Sequence, residues 1–199
     1  MRRAILTTLM TAFVLAPVMA LAHTGHGDAN GLMHGFIHPI TGIDHVLVMI
    51  AVGVLAAHIG GRALWLVPLS FVGVMAVAGT LGMAGVRVPL AEVGIALSVI
   101  VLGLALAVRL GLPVLATTAL VGSFAVFHGY VHGAEMPAVA SGFLYALGFV
   151  AATVLLHTVG LSLGLLTRHH GATLSRRLVQ AGGGAMALFG IAALAASLT

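Results

Sequence analysis

A segment in the second half of the chain carries two histidines and a glutamate at helical spacing. His128 and His132 are four residues apart, and Glu135 follows three residues later. Residues three or four positions apart lie on one face of an α-helix, so all three side chains can point at one ion if the helix continues to Glu135. The spacing predicts a metal-binding helix face.

A second segment brings together potential ligands and residues that interrupt helices. The run His38-Pro-Ile-Thr-Gly-Ile-Asp44-His45 contains three potential ligands, with Pro39 and Gly42 between them. Pro and Gly can break a helix, and irregular backbone at membrane depth is tolerated only where it is buried in protein or lines a cavity. This segment is therefore a candidate lining for a binding cavity.

The composition places both segments in a membrane protein. Of the 199 residues, 61% are hydrophobic and 6% are charged, whereas a soluble domain has about 25% charged residues. The absence of Lys excludes a Walker phosphate loop and a Schiff-base lysine, and the absence of Cys excludes thiolate catalysis and Cys-ligated metal. The eight arginines form no basic run, so the sequence predicts no nucleic-acid partner.

Residues 1–22 have the layout of a cleavable signal peptide. Arg2 and Arg3 precede an apolar run, and Ala20-Leu-Ala22 supplies the small residues of a cleavage site. The alternative is a retained first span, since this run is just long enough to cross a bilayer. Either reading leaves His23 outside the cytoplasm, because the two arginines stay inside.

Six apolar segments follow, and they predict an all-α integral membrane bundle of about six transmembrane helices in a single domain, residues 23–199. The predicted spans are about 43–57, 64–83, 90–108, 112–130, 138–166 and 178–198. Five arginines then fall in interior loops and one, Arg87, in an exterior loop, as the positive-inside rule requires. The pairs Gly129/Gly133 and Gly160/Gly164 have the spacing that lets membrane helices pack closely.

This topology gathers the polar residues at the outer ends of three helices. The candidate metal ligands are His38, Asp44, His45, Glu92, His128, His132 and Glu135. A carboxylate inside a membrane costs about 2.5–3.5 kcal/mol and needs a partner, and with no Lys available a bound cation is favoured as that partner. Imidazole and carboxylate without thiolate suit nickel, cobalt, zinc or copper(II).

Other histidines are weaker candidates for the same ion. His23, His26 and His34 could collect metal on the exterior, and a flexible polar tail is the alternative reading. His157 lies deep in the fifth predicted span, where it could be a later station on a path inward. A plain contact between helices explains His157 better than a ligand role does.

The motifs together resemble those of the HupE/UreJ family of nickel permeases. The resemblance rests on His38-Pro-x-x-Gly-x-Asp44-His45 and on Phe127-His-Gly-x-x-His-Gly-x-Glu135, and it runs from about residue 23 to the end. It implies a carrier with six spans that brings nickel, or alternatively cobalt, into bacteria and often supplies hydrogenase or urease assembly. The implied location is the bacterial inner (plasma) membrane, with the mature N-terminus in the periplasm.

The sequence thus predicts a transporter of divalent transition metal, not an enzyme. Ni²⁺ or Co²⁺ would be its cargo, with no prosthetic cofactor; the bilayer is its other partner, and an oligomer is compatible with the sequence. Two alternatives stay open. One is an intramembrane zinc-dependent hydrolase using His128, His132 and Glu135, although the chain lacks the His-Glu-x-x-His motif. The other is a metal-binding accessory or sensor subunit that does not transport.

Overall fold

A computed structural model of the protein describes residues 31–137, 140–169 and 173–198. These residues form seven helices and no strand: α1 Gly31–Thr41, α2 Ile43–Ile59, α3 Ala63–Met83, α4 Ala91–Ala107, α5 Val114–Ala134, α6 Gly142–His169 and α7 Thr173–Ser197. The predicted signal peptide, and with it His23 and His26, lies outside the described residues.

The predicted helical membrane fold is confirmed, and helices α2 to α7 coincide with the six predicted spans to within a few residues. Helices α3, α5, α6 and α7 are long and apolar enough to cross a membrane, and α1 with α2 forms a fifth, bent candidate. Helix α4 has 17 residues, about 25 Å at 1.5 Å per residue, somewhat short of the hydrocarbon core of about 30 Å. The count of six crossings therefore stays a prediction.

Apolar side chains cover the outside of the bundle and also fill its core. Leu115 is 81% exposed and Phe143 is 76% exposed, which suits a surface in contact with lipid and not with water. The core includes Met49, Phe71 and Leu102, all fully buried. The few buried polar side chains consequently stand out against an apolar interior.

The predicted interruption near Pro39 and Gly42 takes the form of a sharp bend between α1 and α2. The two helices meet at 83°, and the break falls at Gly42, whose backbone is extended (φ −85°, ψ 113°). Pro39 lies inside α1. The Gly42 carbonyl then accepts a hydrogen bond from the Val46 N–H and begins α2. Helix α1 itself was not among the predicted elements, because 11 residues are too few to read as a span.

Glycines bring the helices of the bundle into backbone contact. A Cβ on Gly133 would overlap the Gly79 carbonyl of α3, and one on Gly160 would overlap the Ile50 carbonyl of α2. The predicted close packing at these glycine pairs is confirmed. Gly35 of α1 lies equally close to the Tyr145 backbone of α6, which holds the short helix α1 against the bundle.

We expect Gly160→Ala to destabilise the bundle and Gly73→Ala to leave it unchanged or slightly more stable. The added methyl group at Gly160 meets the backbone of α2, and overpacking of this kind costs about 1–3 kcal/mol. At Gly73 no atom lies within 4 Å of the added Cβ, and Ala gains about 0.5–1 kcal/mol over Gly within a helix. Thermal unfolding in detergent measures both; equal shifts in Tm would contradict the packing.

Candidate metal site

A cavity of about 220 Å³ lies where the α1–α2 bend meets the start of α4 and the end of α5. It is lined by His38, Thr41, Gly42, Asp44, His45, Glu92, Ile95, Val131, His132 and Glu135. Six of the seven candidate ligands therefore line one cavity. The seventh, His128, lies beside it with its ring 4.7 Å from that of His45.

Three donor atoms converge at the edge of this cavity. Ligand atoms of His38, His132 and Glu135 all lie within 4.8 Å of one another, and His38 Nε2 is 2.9 Å from Glu135 Oε2. Two donors bound at about 2.1 Å to one ion lie at most about 4.2 Å apart. Separations of up to 4.8 Å exceed this limit, so the three side chains must move closer together to hold one ion.

The residues of the bend hold a second histidine in a defined tautomer. His45 Nδ1 donates to Asp44 Oδ1 over 2.8 Å, and the His45 N–H donates to the same oxygen over 2.9 Å. Donation through Nδ1 leaves Nε2 with a free lone pair, and Nε2 is buried without a hydrogen-bond partner among the described residues. A carboxylate that fixes a histidine in this way is the usual outer-shell partner of a metal-binding imidazole. Asp44 therefore orients His45.

His132 lies at the centre of the histidine cluster. Its ring centroid is 4.1 Å from that of His45 and 4.8 Å from that of His38. The side chain is 3% exposed, and within the described chain neither ring nitrogen has a hydrogen-bond partner. An unpaired buried polar group is costly, so this imidazole is suited to an ion that enters from the cavity.

A serine in α4 fixes the tautomer of the next histidine inward. The Ser98 hydroxyl donates to the Ile95 carbonyl over 2.6 Å, so its oxygen accepts from His128 Nε2 over 2.9 Å. The Nδ1 atom of His128 then carries a lone pair, and it is buried with no partner in the described part of the chain. His128 and His45 thus form two neighbouring rings, each with one free nitrogen.

One aromatic ring separates this cluster from a deeper histidine. The fully buried Phe71 lies 5.6 Å from the His128 ring and 5.3 Å from the His157 ring, centroid to centroid. Both nitrogens of His157 are buried without a partner among the described residues. The His157 ring therefore packs against Phe71 without a hydrogen bond from either nitrogen to a described residue, and the plain helix contact favoured from sequence stays a prediction.

The remaining candidates lie at the edge of the cluster or away from it. Glu92 is exposed in the first turn of α4 and lines the cavity rim. His34 is exposed on α1, and the cavity lining does not include it. His58 lies at the far end of α2, where its Nε2 is 3.2 Å from Thr167 Oγ1.

Three residues of this region were not predicted as part of the site. Ser98 orients His128, Phe71 lies between two histidines, and Tyr145 has a buried hydroxyl without a partner among the described residues, its ring 6.3 Å from that of His38. A serine among apolar residues is a weak signal of a buried hydrogen bond. Phe71 gives no signal, since phenylalanine is expected throughout a membrane helix.

Comparisons with known proteins agree on one family. The family described as HupE / UreJ protein matches residues 11–193. The chain is also 43% identical over 189 residues to Protein HupE of Rhizobium leguminosarum bv. viciae, an alignment that covers 95% of this chain and 96% of that protein. No solved structure matches the chain.

Proposed function

The chain belongs to the HupE/UreJ family, and from this premise we propose that it carries a divalent transition-metal ion, nickel or cobalt, across the bacterial inner membrane. One observation carries the proposal. The rings of His38, His132, His45 and His128 follow one another at centroid distances of 4.8, 4.1 and 4.7 Å. They lead from a cavity with carboxylates at its rim into the interior of the bundle.

Capture takes place at the outer cavity. Glu92 and Glu135 are exposed at its rim, where their negative charge attracts a hydrated cation. His38, His132 and Glu135 then replace part of the water around the ion with two nitrogens and one oxygen. Glu135 exchanges its contact with His38 for a contact with the ion, so the site offers a donor set that borderline divalent ions accept.

Movement inward uses the nitrogens that have no hydrogen-bond partner. His45 and His128 each present one lone-pair nitrogen, because Asp44 and Ser98 occupy the other one. His157 lies beyond Phe71. Of the described residues that we assign to the transport path, it is the deepest. Buried imidazoles without hydrogen-bond partners provide a ligand for the ion at each step. Among the described residues, no carboxylate lies deeper than His45 to stabilise a protonated imidazole there.

Nickel accumulation by cells that produce the protein tests this function. We expect His38→Ala and Asp44→Ala to reduce uptake of radiolabelled nickel to the level of cells without the protein, because one removes a ligand and the other releases His45. His34→Ala is the matched control, since His34 is a histidine of the same helix α1 outside the cavity. Uptake by the two site variants equal to that of the control would contradict the proposed site.

A further inference from the structure

The opposite end of the bundle contains a second polar cavity, which the transport path does not use. It measures about 310 Å³ and is lined by His58, Arg109, Thr167, Arg168, Thr173, Ser175, Arg176 and Val179. Helix α2 connects the two cavities: 14 residues separate Asp44 from His58, or about 21 Å along the helix. The positive-inside rule assigns this second cavity to the cytoplasmic face.

The described residues that line this cavity are strongly positive in charge. Three arginines line it, and no Asp or Glu is among its described lining residues. The chain has four acidic side chains; three of them, Asp44, Glu92 and Glu135, line the outer cavity, and Asp28 lies outside the described residues. No carboxylate of the described residues lies at this cavity, so an anion from outside the chain is a suitable partner for the arginines.

The backbone at Arg109 shows that this arginine is held in place against a local preference. Arg109 has a φ of 54°, in the left-handed region that favours glycine. Its N–H donates to the Leu106 carbonyl, and the N–H of Leu110 donates to the Ala105 carbonyl. This is the Schellman ending of a helix, where glycine usually occupies the position that Arg109 has here. The arginine is thus placed at the cavity at a conformational cost.

A glycine makes room for the second arginine. Arg168 Nη1 donates to the Ala57 carbonyl at the end of α2 over 3.2 Å, and a Cβ on Gly60 would overlap this guanidinium. An arginine has five N–H donors, so the remaining donors of Arg168 are available to a ligand. Thr173 and Ser175 add hydroxyl donors from the first turn of α7.

A cavity lined mainly by apolar residues adjoins the basic one and indicates the kind of anion that would bind. It measures about 340 Å³, shares His58 and Arg109 with the basic cavity, and is otherwise lined by apolar residues and glycine: Leu55, Ile59, Ala105, Leu106, Leu110, Gly111 and Leu112. A ligand that fills both cavities needs an anionic group next to an apolar chain. Basic pockets between membrane helices on the cytoplasmic side bind lipid head groups of this chemistry.

We propose that the cavity formed by Arg109, Arg168 and Arg176 binds the phosphate of an anionic phospholipid, with the adjoining apolar cavity holding the first part of an acyl chain. Arginine binds phosphate oxygens through paired N–H donors. The two cavities share no residue, so substitutions in the basic cavity leave the ligands of the outer cavity in place.

Thermal unfolding of the protein in bilayer discs tests this site. Discs of phosphatidylcholine alone are compared with discs that also contain phosphatidylglycerol, and phosphatidylcholine discs with added inorganic phosphate form the third arm. We expect phosphatidylglycerol to raise the Tm of the wild-type protein by roughly 5 °C. The double variant Arg109→Gln/Arg176→Gln should lose most of this rise, and Arg176→Gln alone should lose part of it.

The control is Arg62→Gln/Arg177→Gln, which removes the same charge from the same predicted face but leaves the basic cavity intact. It should keep the full rise in Tm. An equal rise in all variants, or an equal loss in both double variants, would overturn the proposal in favour of a general attraction to anionic membranes. A rise produced by inorganic phosphate alone would overturn the assignment to lipid. Arg168 is left unchanged because it also caps α2.

Discussion

Replacing His132 with alanine should weaken binding of Ni²⁺ to the purified protein by at least about 100-fold. Loss of an outer-shell partner of a metal ligand already costs about 10–100-fold in affinity, and His132 is proposed as a ligand itself. It is the histidine whose ring contacts both His38 and His45. Its removal therefore separates the ligands of α1 from those of α2. Isothermal titration calorimetry measures the affinity.

The matched control for this variant is His34→Ala. It removes an imidazole from α1 but leaves the lining of the outer cavity unchanged, so the affinity for Ni²⁺ should equal that of the wild-type protein. Because His132 is buried beside Phe149, the Tm of each variant is measured as well. A folded His132→Ala protein that binds Ni²⁺ as tightly as His34→Ala would refute the role of His132.

Replacing His157 with leucine should abolish transport and leave metal binding intact. Phe71 separates His157 from the histidines at the outer cavity, so the capture site keeps all its ligands. Leucine fills a similar volume and removes two buried nitrogens that have no partner in the described structure, a change that is neutral or stabilising for the fold. The ion would then lose the imidazole that follows Phe71 on the proposed path, and uptake into vesicles should fall to the background of empty vesicles.

Calorimetry and uptake on the same preparation separate the possible outcomes for His157→Leu. Unchanged Ni²⁺ affinity with no uptake supports a station on the path. Unchanged affinity with unchanged uptake would show that His157 only packs between helices, as the sequence favoured. Affinity reduced as much as in His132→Ala would show that His157 belongs to the capture site, which contradicts the separation by Phe71.

The helices of the bundle can be predicted from the sequence, because long apolar segments are a strong signal of membrane helices. Apolar segments of membrane-spanning length fix where α2 to α7 lie, and the scarcity of charge leaves few alternatives for the polar residues. The spacing of His128, His132 and Glu135 places them on neighbouring turns, and α5 ends at Ala134, immediately before Glu135. Convergence of the three helix ends follows from the predicted topology.

The division of roles within the site could not be predicted, because it depends on contacts between helices. The spacing groups His128 with His132 and Glu135, whereas the donor atoms that converge belong to His38, His132 and Glu135. His128 instead pairs with Ser98 of α4, 30 residues away along the chain. Asp44 was a candidate ligand, yet its contact with His45 favours an orienting role. The role of each site residue depends on which helices pack together, and close packing at glycines such as Gly133 determines this in the folded protein.

Transport by the purified protein in sealed proteoliposomes is the direct test of whether the protein carries metal across a membrane. Vesicles that contain a metal-sensitive dye are exposed to Ni²⁺, Co²⁺ or Zn²⁺ under an imposed membrane potential, with His132→Ala and His34→Ala measured in parallel. We expect Ni²⁺ or Co²⁺ to enter vesicles that contain the wild-type protein or His34→Ala, and neither ion to enter vesicles that contain His132→Ala. Binding of metal without entry into wild-type vesicles would contradict transport and favour an accessory or sensing role.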